Sequence, residues 1–326
     1  MTSNRVLRAV ASMRSRAGGT LDVPTVAALG LALVLWASAF AGIRAALTSY
    51  SPGGLALVRL LVGSLALGVY AALVGMRLPK LRHVPLLVLL GGVGIGLYQV
   101  ALNFGERTVD AGTASLLVAT VPLFTAVLAA VVLRERLGIV AVLGIVTGFG
   151  GAAVIASANG NQGLQVSVGA LLVLLAALSE SVYFVLQKSL IGRYSGPELG
   201  VYTVWGAALL ALGFLPAAIH DVRHASAGAT LAAVYLGVFP SAVSYVAWSW
   251  ALARVPASRA ASSLYLLPVF AIVVAWFWLG EIPTILAFVG GGITIAGVAL
   301  TNAFRTTGDT RSPARSGTRV SPGPRA

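Results

Sequence analysis

Long apolar stretches recur along the whole chain, and short polar stretches separate them. An α-helix needs about 20 apolar residues to cross a hydrocarbon core about 30 Å thick. Inside a bilayer, a helix satisfies its own backbone hydrogen bonds. The pattern therefore predicts an all-α integral membrane protein with ten transmembrane helices, here called spans 1 to 10, near residues 25–47, 54–75, 85–104, 111–133, 138–157, 168–189, 198–218, 229–250, 257–279 and 283–303.

The composition favours a lipid environment. Of 326 residues, 58% are hydrophobic and 10% are charged, whereas about 25% are charged in a typical soluble domain. The 38 glycines suit helix packing within lipid, where small residues let helices approach closely. The absence of cysteine excludes disulfides, thiolate chemistry and cysteine-based metal sites.

Basic residues are distributed unevenly between the two ends of the predicted spans. Both tails and the loops after spans 2, 4, 6 and 8 carry them, whereas the opposite loops carry only Arg107 and Arg223. The positive-inside rule then places both termini in the cytoplasm of a multi-pass plasma-membrane protein. Residues 1–24 are predicted to form a basic N-tail and residues 304–326 a disordered basic C-tail. The net charge of +13 is not gathered on one face, so we expect no nucleic-acid partner.

The two halves of the chain resemble each other. At a shift of 146 residues, Pro122 matches Pro268 and Glu135 matches Glu281, and many Ala, Val, Leu and Gly positions match as well. Because each half contains five spans, an odd number, the two repeats must have inverted topology, as in many secondary transporters. We therefore predict one five-helix repeat at residues 25–157 and a second at residues 158–303.

Several ordered motifs carry a resemblance to a known family. Arg59 lies in span 2, and the other motifs are Trp36-Ala37-Ser38-Ala39-Phe40, Ala114-Ser115-Leu116-Leu117 through Pro122 to Arg134-Glu135-Arg136-Leu137, and Ala261-Ser262-Ser263-Leu264 through Pro268 to Leu279-Gly280-Glu281. Over nearly the whole chain except the tails, the sequence resembles the EamA-type branch of the drug/metabolite transporter superfamily. The resemblance implies ten helices, cytoplasmic termini and a central substrate cavity between inverted halves. It implies no particular substrate.

Glu180 departs from the family pattern. The family usually has tryptophan at the second-half counterpart of Trp36, and this chain has Glu180 there, near the middle of span 6. A carboxylate at that depth costs about 3 kcal/mol to insert and usually serves function. Tyr183 and Gln187 follow on the same helical face. We expect this polar stripe to face the cavity, either as a proton-coupling or amine-binding site, or as a structural carboxylate bonded to Ser, Tyr or Arg.

Further candidate site residues lie in spans 1, 2, 3, 8 and 9. Arg44 and Arg59 either extend to the membrane interface or bind a substrate carboxylate or Glu180. Trp36, Phe40 and Arg44 share one helical face, which forms either an aromatic wall with a cationic rim or an ordinary packing surface. The remaining polar and aromatic candidates either contact the substrate or join helices: Gln99, Asn103, Tyr245, Trp248 and Tyr265.

Pro122 and Pro268 lie at equivalent positions within spans 4 and 9. Each removes a backbone donor and is expected to kink its helix. Paired interruptions point to the binding region in many transporters, and a kink needed only for packing is the alternative. Glu135 and Glu281 precede spans 5 and 10, and we interpret them as structural because a carboxylate stabilises a helix N-terminus.

The sequence contains no P-loop, no paired-histidine metal motif and no Gly-x-Ser-x-Gly nucleophile motif. We therefore predict no cofactor, no metal site and no enzymatic activity. The glycine-rich spans 5 and 10 serve either for packing within the chain or as the face of a homodimer.

The leading functional hypothesis is a secondary transporter of small metabolites, such as amino acids or drug-like amines, that works by alternating access. Export, and a coupling proton as its energy source, follow from the family resemblance alone. The alternatives are a small-molecule channel and a membrane sensor that does not transport.

Overall fold

The computed structural model describes residues 22–132, 137–158, 167–187, 190, 193–252, 254 and 263–303. The elements of these residues are helices: α1 (Val23–Ala46), α2 (Pro52–Leu73), a 3-10 turn (Leu81–His83), α3 (Val84–Gly91), a π segment (Gly92–Gly96), α4 (Leu97–Gly105), α5 (Ala111–Val118), α6 (Val121–Val132), α7 (Ile139–Ala158), α8 (Val168–Leu186), α9 (Gly196–Ala211), a 3-10 turn (Leu212–Phe214), α10 (Leu215–His224), α11 (Ala227–Val238), a second π segment (Phe239–Val243), α12 (Ser244–Leu252), a 3-10 turn (Leu264–Leu266), α13 (Leu267–Leu279) and α14 (Ile285–Ala303). Glu135 and both predicted tails, apart from Asp22 to Pro24, lie outside the described residues.

Within the described residues, eight helical segments are long and apolar enough to cross a membrane, and together they cover predicted spans 1 to 8. Two shorter apolar helices, Leu264–Leu279 and Ile285–Thr301, fall on predicted spans 9 and 10. Large apolar side chains such as Leu73 and Phe277 point outward and are about four-fifths exposed, as lipid-facing residues are. The prediction of an all-helical, multi-pass membrane protein is confirmed.

Local sequence signals fix where several helices begin. The Ser51 side chain accepts a hydrogen bond from the Gly54 amide ahead of α2, and the Asp110 side chain accepts one from the Thr113 amide ahead of α5. Ser195 starts α9 with a reciprocal capping box. These side chains satisfy backbone donors that a helix N-terminus otherwise leaves unpaired, so the polar turns set the register of the apolar helices.

Two helices are interrupted next to the paired prolines. Helix α5 ends at Val118, α6 begins at Val121, and Pro122 is the second residue of α6. Pro268 is likewise the second residue of α13, directly after a 3-10 turn. Proline is tolerated in the first helical turn because the amide it lacks has no intrahelical partner there. The chain therefore makes a two-residue turn before α6 at Pro122 and passes from a 3-10 turn directly into α13 at Pro268, where the sequence predicted a kink.

Helices α7 and α14 pack against each other through glycine. A methyl group added at Gly297 would lie 2.6 Å from the Gly144 carbonyl oxygen, and one added at Gly290 would lie 2.7 Å from the Gly151 carbonyl oxygen. The backbones therefore touch with no room for a side chain. The glycines predicted to serve either packing or a homodimer face serve packing within the chain at these positions.

This close approach gives a stability prediction. Gly297→Ala is expected to lower the free energy of unfolding by about 1–3 kcal/mol because the new methyl group overlaps backbone atoms that cannot rotate away. Gly292→Ala on the same helix is the matched control, since nothing lies within 4 Å of the position its methyl group would take. Thermal unfolding in detergent is the measurement. Equal melting temperatures for the two variants would contradict the tight contact.

The α1–α2 turn lies at one end of the bundle, which we call the Ser51 end. The Ser51 amide and hydroxyl both donate to Asp221 Oδ2, at 2.9 and 2.6 Å. Nearby, the hydroxyl oxygens of Ser49 and Ser226 are 3.4 Å apart. These contacts therefore join the α1–α2 turn to α10 and to the turn that precedes α11, which belong to the second half of the chain.

The α2–α3 connection lies at the opposite end, which we call the Tyr194 end. The Tyr194 hydroxyl accepts a hydrogen bond from the Lys80 amide at 3.1 Å and is 2.7 Å from His83 Nδ1. The Tyr202 hydroxyl also donates to the Arg77 carbonyl oxygen. These contacts tie the α2–α3 connection to α9.

Candidate functional site

Arg59 of α2 and Glu180 of α8 share a set of aromatic neighbours in the interior of the bundle. Tyr98 of α4 and Tyr245 of α12 each lie within electrostatic range of both charged groups. Tyr183, one turn after Glu180, also lies within range of its carboxyl group. Arg59 and Glu180 therefore share the same tyrosine neighbours, without a contact between the two charged groups among those that the structure gives, and we call these five residues the central site.

Arg59 is held by one hydrogen bond and keeps part of its guanidinium unused. The residue is only 7% exposed, and its Nε donates to Ser241 Oγ at 3.3 Å. Ser241 lies in the second π segment and also donates to the Leu236 carbonyl. Arg59 Nη1 has no hydrogen-bond partner among the described residues. A buried guanidinium donor without a partner is suited to bind a carboxylate brought in from outside.

Glu180 is partly buried and has neither a hydrogen-bond nor a salt-bridge partner within the part of the chain that the structure describes. The residues on either side of it are engaged instead. Ser179 donates to the Val93 carbonyl in the first π segment, and Ser181 donates to the Val121 carbonyl at 2.9 Å. These bonds fix α8 and leave the Glu180 carboxyl facing the interior as an acceptor.

Aromatic rings from α1 and α12 form one side of this region. The Trp36 ring centroid lies 6.0 Å from that of Tyr245, in an edge-on arrangement, and 5.1 Å from that of Trp248. Such rings offer apolar surface and negative faces that attract cations. The structure thus brings Trp36, Tyr245 and Trp248 together, as an aromatic wall requires.

A cleft of about 360 Å³ opens between α2 and the helices α11 and α12, with a mostly apolar lining. Tyr70 and Val246 line both this cleft and a smaller space that reaches Tyr245. Tyr245 of the central site therefore borders a small space beside this cleft, and the other four residues of the central site line neither space.

Arg44 lies at the Ser51 end, away from the aromatic wall predicted for it. Its Nε and Nη2 contact Glu281 Oε1 at 3.0 and 2.8 Å, and its Nη1 donates to the main-chain carbonyl of Glu106 at 2.7 Å. Glu281 Oε2 accepts from the Ala111 amide at the start of α5. Glu281 therefore has a structural role, as expected, but its carboxylate stabilises the start of α5 and binds Arg44 in the first half of the chain, where the sequence predicted the start of span 10.

The other predicted residues have different surroundings. Phe40 is buried in the apolar core, and Gln187 terminates α8. Tyr265 packs in the apolar cluster around Leu123. The contacts described for Phe40 and Gln187 do not place them in the central site, and all three residues remain candidates by sequence.

Gln99 and Asn103 are buried along α4, on the face directed at α2. Asn103 Nδ2 donates to the Pro52 carbonyl at 2.9 Å, which joins the two helices. The side-chain oxygens of Gln99 and Asn103 have no partner among the described residues. Asn103 therefore joins two helices, and both residues carry unused acceptors.

Sequence reasoning missed Glu106 and the two π segments. Glu106 is fully buried and follows Gln99 and Asn103 at a spacing of seven and three residues, on the same helical face, so the spacing could have revealed it. The π segments occupy corresponding positions in the two halves, and π segments are frequent at functional sites. The pattern of apolar and polar residues does not distinguish a π segment from an α-helix, so the sequence could not predict them.

Membrane-crossing helices around a buried, charged and aromatic centre define a transporter of small molecules. The chain belongs to the EamA-like transporter family, which matches residues 24–157 and 167–303. The resemblance found in the sequence is therefore confirmed.

Several named proteins are similar to this chain. The "probable terminal-alkyne amino-acid exporter" of Streptantibioticus cattleyicolor is 45% identical over 292 residues, covering 90% of this chain and 97% of that protein. The "uncharacterized transporter YdfC" of Bacillus subtilis is 45% identical over 83% of this chain and 88% of its own length. The "probable amino-acid metabolite efflux pump" of Escherichia coli is 28% identical over 84% of this chain and 93% of its own length.

The fold is also shared with a known crystal structure. The two chains superpose with a TM-score of 0.58 at 19% identity, over 90% of this chain and 100% of the other. The family therefore identifies this chain as a transporter.

Proposed function

We propose that this chain is a secondary exporter of amino-acid-like zwitterions, with the central site as the binding site. The substrate carboxylate binds the free Nη1 of Arg59, its ammonium group binds Glu180, and its apolar side chain lies against Trp36 and Tyr245. The observation that carries the proposal is the buried Arg59 donor without a partner, because a buried unpaired donor is costly unless a ligand pairs with it.

Glu180 supports the zwitterion over a simple anion. Its carboxyl has no described partner and lies near the same two tyrosines as Arg59. The named amino-acid exporter and efflux pump among the relatives also support an amino-acid-like substrate and outward transport.

The transport cycle we propose is alternating access between two inverted five-helix repeats in the plasma membrane, with both termini cytoplasmic. Two matches of similar length to the EamA-like family support the repeats. The contacts Gly144–Gly297 and Gly151–Gly290 support them as well. Gly290 lies 146 residues after Gly144, and Gly297 lies 146 residues after Gly151, so the two contacts join equivalent positions of the two repeats. The basic loops support the orientation, which places the Ser51 end outside.

Counterflow in proteoliposomes tests the proposal. The panel is a free apolar amino acid, its methyl ester, which lacks the carboxylate, its N-acetyl derivative, which lacks the ammonium group, and a cationic drug-like amine. The free amino acid is expected to exchange with saturation and to be the preferred substrate. Exchange of the ester or the amine at the rate of the amino acid would contradict zwitterion recognition. Non-saturable flux would favour a channel, and no flux of any compound would favour a sensor.

Glu180→Gln is expected to raise KM for the free amino acid by about tenfold or more, because a charged hydrogen bond to the ammonium group, worth about 1.5–3 kcal/mol, is lost. The N-acetyl derivative is expected to be affected much less. Glu198→Gln is the matched control, since it keeps an amide acceptor in the exposed capping box of α9. Equal effects on the amino acid and its N-acetyl derivative would show that Glu180 does not contact the ammonium group.

A further inference from the structure

Glu106 directly follows α4 at the Ser51 end, and its environment is unusual for an acidic residue. It is 0% exposed, and neither carboxyl oxygen has a hydrogen-bond partner among the described residues. An ionised carboxylate in such a place would lose its hydration without compensation, which is very costly. A neutral, protonated carboxyl avoids most of that cost.

The charged groups around Glu106 come from four elements. They are Arg44 of α1, Arg59 of α2, Asp110 ahead of α5 and Glu281 ahead of α14. Helix α8 also packs along α4, and its carboxyl group, Glu180, lies near Tyr98, about two turns of α4 away from Glu106. The Glu106 carboxyl therefore has two cations and two anions as its charged neighbours.

Both cations direct their hydrogen bonds elsewhere. Arg44 donates to the Glu281 carboxylate and to the main-chain carbonyl of Glu106, but not to its carboxyl group. Arg59 donates to Ser241. Glu106 lies just beyond the membrane-spanning segment that ends at Gly105. Burial raises the pKa of the Glu106 carboxyl well above its usual range, and the positive charges of Arg44 and Arg59 oppose this effect only in part.

We propose that Glu106 is a proton-binding site of this transporter, and that its carboxyl carries the proton while the Ser51 end is closed. The inference rests on the transport function proposed above. When the segment that carries Glu281 withdraws, Arg44 loses its partner and water reaches Glu106. The O–H bond of the carboxyl then breaks, the proton passes to water, and the resulting carboxylate pairs with Arg44. Arg44 thus exchanges one carboxylate for another as the end opens.

The polar face of α4 connects this site to the centre of the protein. The unpartnered oxygens of Gln99 and Asn103 lie on the same helical face as Glu106. They form a line of acceptors from the Ser51 end towards Tyr98, and through it towards the central site. Proton binding at Glu106 is therefore linked by position to substrate binding at Arg59.

Transport assays with Glu106→Gln, which mimics the protonated carboxyl, test the proposal. For each variant, two quantities are measured: the accumulation of an amino acid driven by a pH gradient, and the counterflow rate of the same variant. The ratio of accumulation to counterflow rate corrects for the amount of folded protein. The ratio is expected to fall to the level without a gradient in Glu106→Gln and to stay measurable in Glu106→Asp. Glu198→Gln is expected to keep the wild-type ratio. An unchanged ratio in Glu106→Gln would overturn the proposal.

A second measurement does not depend on transport. The chain has no cysteine, so Ala229→Cys introduces a single thiol at a position that is buried in the core together with Tyr50 of the α1–α2 turn. Labelling by a membrane-impermeant maleimide, corrected for the pH dependence of a small thiol, is expected to rise with pH, and this pH dependence is expected to disappear when Glu106→Gln is added. Labelling independent of pH in both proteins would overturn the proposal. Absence of any transport, with this pH dependence intact, would remove the proposed function and leave the proton site standing.

Discussion

Arg59→Gln is expected to lower kcat/KM for a free amino acid by about 100-fold, because a charged hydrogen bond to a carboxylate is worth up to about 3 kcal/mol. Glutamine keeps a polar group near Ser241, so the contact between α2 and the second π segment can persist. What it removes is the cation and the free Nη1 donor. Initial counterflow rates over a range of substrate concentrations measure the effect.

A matched substrate and a matched variant separate recognition from folding. The methyl ester has no carboxylate, so the same substitution is expected to change its transport little. Arg223→Gln removes an exposed arginine at the end of α10 and is expected to behave as the wild type. If the ester and the amino acid lose transport equally, Arg59 does not bind the carboxylate and instead supports the packing of α2.

Joining the two turns of the Ser51 end is expected to abolish transport. The hydroxyl oxygens of Ser49 and Ser226 are 3.4 Å apart, which places the side chains close enough for a disulfide in the double variant Ser49→Cys, Ser226→Cys. Alternating access requires each end to open in turn, so a covalent bond across this end leaves the transporter fixed in one state. Counterflow before and after oxidation is the measurement, and reduction is expected to restore it.

Each single cysteine variant, treated with the same oxidant, is the control for this experiment. Both are expected to transport at their untreated rates. Wild-type transport by protein shown to be fully cross-linked would mean that the Ser51 end does not open during the cycle. That outcome would contradict alternating access through this end without affecting the assignment of Arg59.

The positions of the helices could be predicted from the sequence. The length of an apolar run and the presence of a polar capping residue depend only on residues that are close together in the sequence. Ser51 and Asp110 each precede a helix that begins where the apolar pattern does. The turn before Pro122 and the 3-10 turn before Pro268 depend on how the helix accommodates a lost backbone donor, and the sequence alone predicted only a bend.

The central site was predictable in part. Glu180 and Arg59 both stand out because charged residues within an apolar span are rare. Their shared neighbours, Tyr98 and Tyr245, come from different halves of the chain, and only the packing of the helices brings them together. The match of Arg44 with Glu281 likewise joins residues 237 positions apart.

Glu106 escaped sequence reasoning for a different reason. It precedes Arg107 in a short polar connection, where an acidic residue is usually solvated. In the structure it is buried at the turn between α4 and α5, where Arg44 binds its main-chain carbonyl. The adjacent Arg107 suggested that Glu106 is a solvated surface charge, whereas the residues packed around Glu106 in the structure bury it.

The glycine contacts between α7 and α14 have a consequence for the origin of the chain. Gly144 meets Gly297, and Gly151 meets Gly290, so the same contact is made twice with the roles of the two helices exchanged. That reciprocity is the mark of an isologous, twofold interface. Under the inverted-repeat arrangement proposed above, a five-helix unit inserted into the membrane in both orientations would pair with an antiparallel copy of itself through this surface. Duplication and fusion of such a unit would have fixed both orientations in one polypeptide and freed each half to change separately, which would account for the different residues, Trp36 and Glu180, at corresponding positions of the two halves.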